Sequence, residues 1–263
     1  MSDFNENLTP ALAQASNEDL EPLVGYILKA ATEEMTLSDL YKRFSPNHRE
    51  YLELIEREIR KFGGNTFVNI FRGTGPEYLE IVGDVADKLG ANFNKNSSIE
   101  EIEAAILLRV MSQAWKKMTP EEKQAFLKEM GLESSLGSLP TSFPLIALQA
   151  AILASGFVAY RLALIVANSV ARAILGRGLT LAVNATLTRT LSILAGPIGW
   201  AIAGIWTVVD IAGPAYRVTI PCVVHIAMLR QKYSLKTCKY CSATYTPGNN
   251  FCPACGAKIE GEA

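Results

Sequence analysis

Residues Thr190 to Val209 form a run of twenty without a charged side chain, and Pro144 to Tyr160 is a second uncharged stretch, apolar apart from Gln149 and Ser155. Between them, Leu162 to Leu175 is apolar except for Asn168, Ser169 and Arg172. Apolar surface on this scale must be covered by protein or by lipid, since each Å² left in water forgoes about 25 cal/mol. The run 190–209 just reaches the roughly 20 residues that a helix needs to cross hydrocarbon. Gly196-Pro197 lies inside it, and a proline removes an internal hydrogen bond and bends or breaks a helix. Ala195, Gly199 and Ala203 fall four apart, a small-residue stripe that another helix backbone can approach closely. A tight helical hairpin and a single span both satisfy this stretch.

Charge divides the chain at about the same place. From Met1 to Leu139 there are 15 Lys and Arg against 23 Asp and Glu, a net of −8. From Pro140 to Ala263 there are 10 against 3, a net of +7, so the overall −1 hides the division. Positive charge beside long apolar runs suits a surface that meets anionic lipid. Mutual attraction between the two halves accounts for the same pattern.

The first half reads as helix. Start signals recur: Ser16 with Asp19, Thr36 with Asp39, Ser98 with Glu101, and Thr119-Pro120-Glu121-Glu122. In the last of these the Thr hydroxyl caps a free N–H, Pro120 fits the first helical position, and Glu122 reaches back to the cap. Phe62-Gly63-Gly64-Asn65 ends a helix carrying Ile55, Ile59 and Phe62. Gly90 ends another that carries Tyr78, Ile81, Val82, Val85 and Leu89 at spacings of three and four. No stretch shows the two-residue alternation of a half-buried strand. Gly131 to Pro144, with two Gly, two Pro and four Ser, has the composition of a connection. The expected fold is therefore all-α: a multi-helix bundle with a small C-terminal zinc ribbon. The expected division is an acidic amphipathic region at 1–133, a linker at 134–144, an apolar basic helical region at 145–230 and the ribbon at 231–263.

The ribbon is read from Cys238-Lys-Tyr-Cys241, ten intervening residues, and Cys252-Pro-Ala-Cys255-Gly256. A Cys-x-x-Cys turn sets two thiolates on one side of a tight loop, and two such turns complete the tetrahedron that zinc prefers. Cys238, Cys241, Cys252 and Cys255 are thus expected to hold one structural Zn2+, closed to substrate. Gly256 lets the backbone turn and can aim an N–H at sulfur. Pro247-Gly248-Asn249-Asn250, flanked by Thr244-Tyr245-Thr246 and Phe251, reads as a hairpin turn. Cys222, in Pro221-Cys-Val-Val, reads as buried and inert.

Little else suggests chemistry. There are two histidines, His48 and His225, and His225 sits in an apolar run where a buried, hydrogen-bonded role is expected. Gly73-Thr74-Gly75 lacks the Lys-Ser/Thr of a phosphate loop. Glu100, Glu101 and Glu103 read as a helix start with a solvated face. Trp115, Phe126 and Met130 at helical spacing read as core; Trp200 and Trp206 suit either a membrane interface or a protein core. No catalytic residue and no small-molecule substrate is expected.

Three segments resemble a known family. They are Lys61-Phe-Gly-Gly-Asn-Thr running on to Phe71-Arg-Gly-Thr-Gly and Asp87-Lys-Leu; Trp115-Lys-Lys-Met-Thr-Pro-Glu-Glu-Lys-Gln-Ala-Phe; and Ala215-Tyr-Arg-Val-Thr-Ile-Pro-Cys-Val-Val-His-Ile-Ala-Met-Leu-Arg230. Together, over about residues 8 to 230, they resemble the bacterial YaaW-like family, distantly grouped with the ubiquinol–cytochrome c chaperones. The resemblance implies an all-α, non-enzymatic assembly factor that binds a newly made membrane subunit of the respiratory chain. Residues 145–210 are more hydrophobic than the family pattern, and the zinc ribbon is an addition to it.

The expected function is a membrane-associated or membrane-protein-binding factor, chaperone-like, contacting its partner through 145–230, with the ribbon as a protein-binding or stabilising appendage. One alternative is a membrane-inserting, pore-forming effector, read from Arg161, Arg172, Arg177 and Arg189 scattered among apolar segments. Another is nucleic-acid binding through Arg230, Lys232, Lys236 and Lys239, against which the modest charge weighs. The polar, acidic start Met1-Ser-Asp-Phe-Asn-Glu-Asn argues against a secretory leader. The expected location is the cytoplasm, peripheral or integral at the inner membrane.

Overall fold

A computed structural model describes residues 5–30, 33–63, 75–154, 156–180, 193–201, 204, 215–241, 244–245, 250–252 and 255–259. The helices are α1 (Thr9–Ala13), α2 (Asn17–Lys29), α3 (Glu33–Leu37), α4 (Asp39–Phe44), α5 (Leu52–Gly63), α6 (Tyr78–Leu89), α7 (Ile99–Trp115), α8 (Pro120–Glu129), α9 (Glu133–Leu136), α10 (Leu145–Ala154), α11 (Gly156–Leu175) and α12 (Ala215–Ser234). A 3-10 turn, His48–Tyr51, leads into α5, and residues 193–201 are also helical. Two short strands follow, β1 (Lys236–Thr237) and β2 (Thr244–Tyr245). The described residues form the expected all-α bundle.

Ser16, Ser98 and Thr119 each accept the N–H of the third helical residue and receive its carboxylate in return, as their spacing predicts. Such a cap contributes typically about 1 kcal/mol. The Thr36–Asp39 signal is read differently by the fold. Thr36 lies inside α3, and α4 starts behind Ser38, whose side chain makes no cap bond. The chain turns between two short helices there, so the extended residue at Ser38 takes the flanking position. Gly90 ends α6 in the left-handed conformation, φ 66°, which glycine adopts without a side-chain clash. Within the Gly131–Pro144 stretch the structure adds the single-turn helix α9, and Phe143 packs against Trp115 and Phe126 with ring centroids 5.9 and 6.4 Å away.

The core is centred on α12. From Val218 to Leu229 every residue is buried, whichever way it points. Helices α1, α2, α5, α6, α7 and α11 surround it. A helix apolar all round fits only such a central position or a membrane. Leu162 to Ala171 of α11 is likewise buried on all sides. Helix α11 spans Gly156–Leu175 and is long and apolar enough to cross a bilayer, yet 56% of that window lies inside the protein. Among the described residues it is the one helix that passes this test.

Ion pairs join the acidic and basic halves. Arg161 meets Glu129 at 3.6 Å, Arg177 meets Glu21 at 2.5 Å, Arg230 meets Glu103 at 3.0 Å and Glu100 at 3.9 Å, and Lys232 meets Asp19 at 2.6 Å. The charge division is thus partly a matter of partners within one molecule. The exposed pair, Arg177–Glu21, contributes little; the buried ones fix which helix faces which.

Not all of the apolar half is covered. Ile146 and Leu153 of α10 are 83% and 88% exposed, and Trp200 is 75% exposed. Leu145 and Ile193 are exposed as well. A Cβ built on Gly196 or Gly199 would meet nothing within 4 Å, so no backbone approaches the small-residue stripe at these two positions among the described residues. Residues 190–192 and most of 202–209, with Trp206, lie outside the described residues.

Candidate metal centre and buried ion pairs

The tail forms two knuckles, each a minimal hairpin around one cysteine pair. Across the first, Lys236 pairs with Tyr245 and Thr237 with Thr244, enclosing Cys238 and Cys241. Across the second, Phe251 bridges to Lys258, enclosing Cys252 and Cys255. The hairpin turn read at Pro247–Asn250 lies, apart from Asn250, outside the described residues; the described strands pair around each Cys-x-x-Cys turn. Ile259 N–H donates to the Asn250 carbonyl at 2.9 Å and Cys252 N–H to the Ala257 carbonyl at 2.8 Å. Gly256 sits at φ 71°, and its N–H donates to the Cys252 carbonyl at 2.9 Å rather than to a sulfur.

All four cysteine sulfurs lie within 4.8 Å of one another. Cys238 Sγ is 3.8 Å from Cys255 Sγ, and Cys241 Sγ is 3.7 Å from Cys252 Sγ. Four thiolates at about 2.3 Å from a tetrahedral ion stand about 3.8 Å apart, so the set fits a metal ion. Cys238 and Cys252 are buried, while Cys241 and Cys255 face solvent. β2 also touches α11, which seats the ribbon on the bundle.

Beside the ribbon, the last turns of α12 carry two buried polar centres. Asp19, on the first turn of α2, accepts from Lys232 Nζ at 2.7 and 2.6 Å and from the Tyr233 hydroxyl, and closes the Ser16 cap. Burial alone would raise the Asp19 carboxyl, but these donors outweigh it and hold it below the usual carboxylate range. The same carboxylate and burial push the Tyr233 phenol up to about 12.

The second centre is Glu103, 2% exposed. It accepts from Arg230 Nε at 3.0 Å and from the Tyr78 hydroxyl at 3.2 Å. Desolvation dominates and raises its carboxyl to about 7, against the pull of Arg230 and Tyr78. The sequence reading put Glu103 on a solvated face with Glu100 and Glu101; it is buried instead. The signal was present, since Glu103 falls on the apolar stripe of Ile99, Ile102, Ile106 and Val110. A carboxylate there needs a buried partner, and that partner is 127 residues away in sequence.

The histidines play the bland role. His225 is buried, and its Nε2 bonds the Asp19 carbonyl oxygen at 2.7 Å. Burial lowers its pKa to about 4, so it is neutral at pH 7. His48 bonds the Tyr51 hydroxyl at 2.5 Å and is likewise depressed by burial. Cys222 is fully buried, and burial pushes its thiol well up, as expected of an inert cysteine. Trp115, Phe126 and Met130 are core. Gly73 and Thr74 lie outside the described residues, and a Cβ built on Gly75 would stand 2.2 Å from the Arg60 carbonyl oxygen.

These features define a class: an all-helical bundle with an appended cluster of four cysteines. Its family follows from sequence comparison. The family model described as ubiquinol-cytochrome C chaperone matches residues 47–225, and the chain belongs to that family. A UPF0174 protein of Helicobacter pylori strain J99 is 43% identical over 208 residues, covering 78% of this chain and 80% of the relative. A second from the same strain is 36% identical over 212 residues, 76% of this chain and 97% of the relative. The UPF0174 protein YaaW of Escherichia coli K12 is 35% identical over 190 residues, 71% of this chain and 74% of that protein. No solved structure matches. The resemblance carried by the three segments thus names the right family, and the family match ends at 225, ahead of the first ribbon cysteine.

Proposed function

We propose that the chain is a non-enzymatic, chaperone-like assembly factor that works at a membrane and holds a membrane-protein partner there. Membership of the chaperone family supports the general role. The observation that carries the membrane part is the exposed apolar surface of α10 and of residues 193–201, where Leu153, Ile146 and Trp200 are the three most exposed large apolar side chains among the described residues. Contiguous exposed apolar surface marks membrane or protein interaction sites. Expression from the native locus followed by carbonate extraction tests it. The protein is expected in the membrane fraction, and its deletion is expected to lower the amount of at least one assembled membrane complex on native gels. A wholly soluble protein whose loss leaves every such complex unchanged would contradict the reading.

The ribbon, on this reading, holds one structural zinc ion through Cys238, Cys241, Cys252 and Cys255. When bound, the ion would cross-link the two knuckles, and a closed set of four thiolates offers no position to a substrate. The ribbon then serves as a stabilising or protein-binding appendage. Metal analysis of the purified chain should give one zinc per molecule, and Cys252→Ser should abolish it with helical content unchanged. Full zinc content in Cys252→Ser would remove the assignment.

A further inference from the structure

We infer that the four ribbon cysteines form a reversible oxidation site, at which hydrogen peroxide converts them to two disulfides, Cys238–Cys255 and Cys241–Cys252. These bonds join the two knuckles in place of a metal ion. The loss of metal rests on the zinc reading above; the pairing does not. The sulfurs in contact belong to different knuckles: Cys238 Sγ is 3.8 Å from Cys255 Sγ, and Cys241 Sγ is 3.7 Å from Cys252 Sγ. A disulfide measures about 2.05 Å, so each pair closes by roughly 1.7 Å.

Each contact also sets an exposed cysteine against a sheltered one. Cys241 and Cys255 face solvent, whereas Cys238 and Cys252 are 5% and 2% exposed. A solvent-borne oxidant therefore meets Cys241 or Cys255 first, with a resolving partner already beside it. That arrangement carries an oxidised thiol to a disulfide, which is reversible, before further oxidation makes it permanent. The Cys241 thiolate attacks one peroxide oxygen, the O–O bond breaks, and hydroxide leaves, so the sulfur becomes a sulfenic acid. The Cys252 thiolate then attacks that sulfur, the S–S bond forms, and the S–O bond breaks with loss of a second hydroxide. Two electrons have passed from the thiolates to the peroxide, and two protons from solvent turn both hydroxides to water. Cys255 and Cys238 follow the same course with a second peroxide. None of the four sulfurs is then a thiolate, the form that binds metal.

The pairing decides what becomes of the ribbon. Both bonds cross between knuckles, so the hairpin of Lys236–Tyr245 stays tied to the bridge of Phe251–Lys258, and β2 is expected to keep its contact with α11. Bonds within each Cys-x-x-Cys turn would leave the knuckles unjoined. Cys222 is the internal control, since it is fully buried in α12.

The test uses the full chain, purified under reducing conditions, with its zinc content measured before and after hydrogen peroxide. Trypsin and chymotrypsin together leave Cys238 and Cys241 on separate peptides and Cys252 with Cys255 on a third, because Lys239 and Tyr240 separate the first two and Tyr245 and Phe251 precede the third. Cross-knuckle bonds join all three peptides, and fragmentation is expected to assign Cys241 to Cys252 and Cys238 to Cys255; bonds within the turns join only the first two. The oxidised chain is expected to lose its zinc completely, to keep a free thiol at Cys222, and to recover four reduced ribbon thiols with dithiothreitol. Any other pairing, oxidation of Cys222 ahead of the ribbon, sulfinic or sulfonic acids in place of disulfides, or ribbon thiols that stay reduced would overturn the proposal. A reduced chain without zinc that still forms the two cross-knuckle bonds would remove the zinc reading and uphold the pairing.

Discussion

Helices α10 and α12 come from the same apolar half of the chain and meet opposite fates. α12 is enclosed by six other helices, and its far end brings Arg230 and Lys232 to Glu103 and Asp19. α10 has no charge to match, packs on α11, buries Leu148, and leaves Leu145, Ile146 and Leu153 in the open. Hydrophobicity alone therefore does not decide which segment becomes core. The enclosed helix has both an apolar body and cations whose acidic partners sit on the acidic half. The open helix has only the apolar body.

The largest effect expected from breaking this contrast is at the ion pair. Arg230→Ala leaves the Glu103 carboxylate buried without its cation, and urea unfolding should show a loss of about 4 kcal/mol. Replacing both together, Arg230→Met with Glu103→Leu, should recover most of it, since a buried pair exchanged for apolar groups of similar size is often neutral. A core truncation comes next. Leu164→Ala, in the enclosed part of α11, should cost about 3 kcal/mol through lost burial and a residual cavity.

The pH dependence follows from His225. Its folded pKa is about 4 against an ordinary 6.5, so the unfolded chain takes up the proton first. Its contribution is fully present above pH 6.5 and is lost as pH falls towards 4, by up to about 3 kcal/mol. His225→Gln should be less stable than wild type at pH 7 and show a shallower decline between pH 6.5 and 4; equal slopes would show that His225 is not the group responsible. The smallest effect is on the open helix. Leu153→Ser should change stability in vesicle-free buffer by less than about 0.5 kcal/mol, because the side chain gains almost no burial on folding.

Much of this was legible beforehand, and the physical reason is locality. The caps at Ser16, Ser98 and Thr119 and the stop at Gly90 depend on residues within one turn, and all four were readable from spacing. The cysteine cluster was readable for the same reason, since each pair shares one turn. Glu103 was misread because its partner lies on α12, beyond the reach of any local period, even though its place on an apolar stripe was visible. The strand pairing of the ribbon was also missed: β1 and β2 are two residues each and carry no alternation to detect. Which apolar stretch would be enclosed was not legible, since 145–160 is uncharged and the oilier of the two, whereas 215–229 contains Arg217 and His225 and is the one enclosed.

Hydrogen exchange followed by mass spectrometry measures the division between wrapped and open apolar helix most directly. In buffer, amides of residues 163–171 and 219–229 should exchange only through global unfolding, while those of 146–160 exchange orders of magnitude faster; with anionic vesicles the fast segment alone should slow. Equal protection of both segments in buffer, or no slowing of 146–160 on vesicles that bind the protein, would contradict the account.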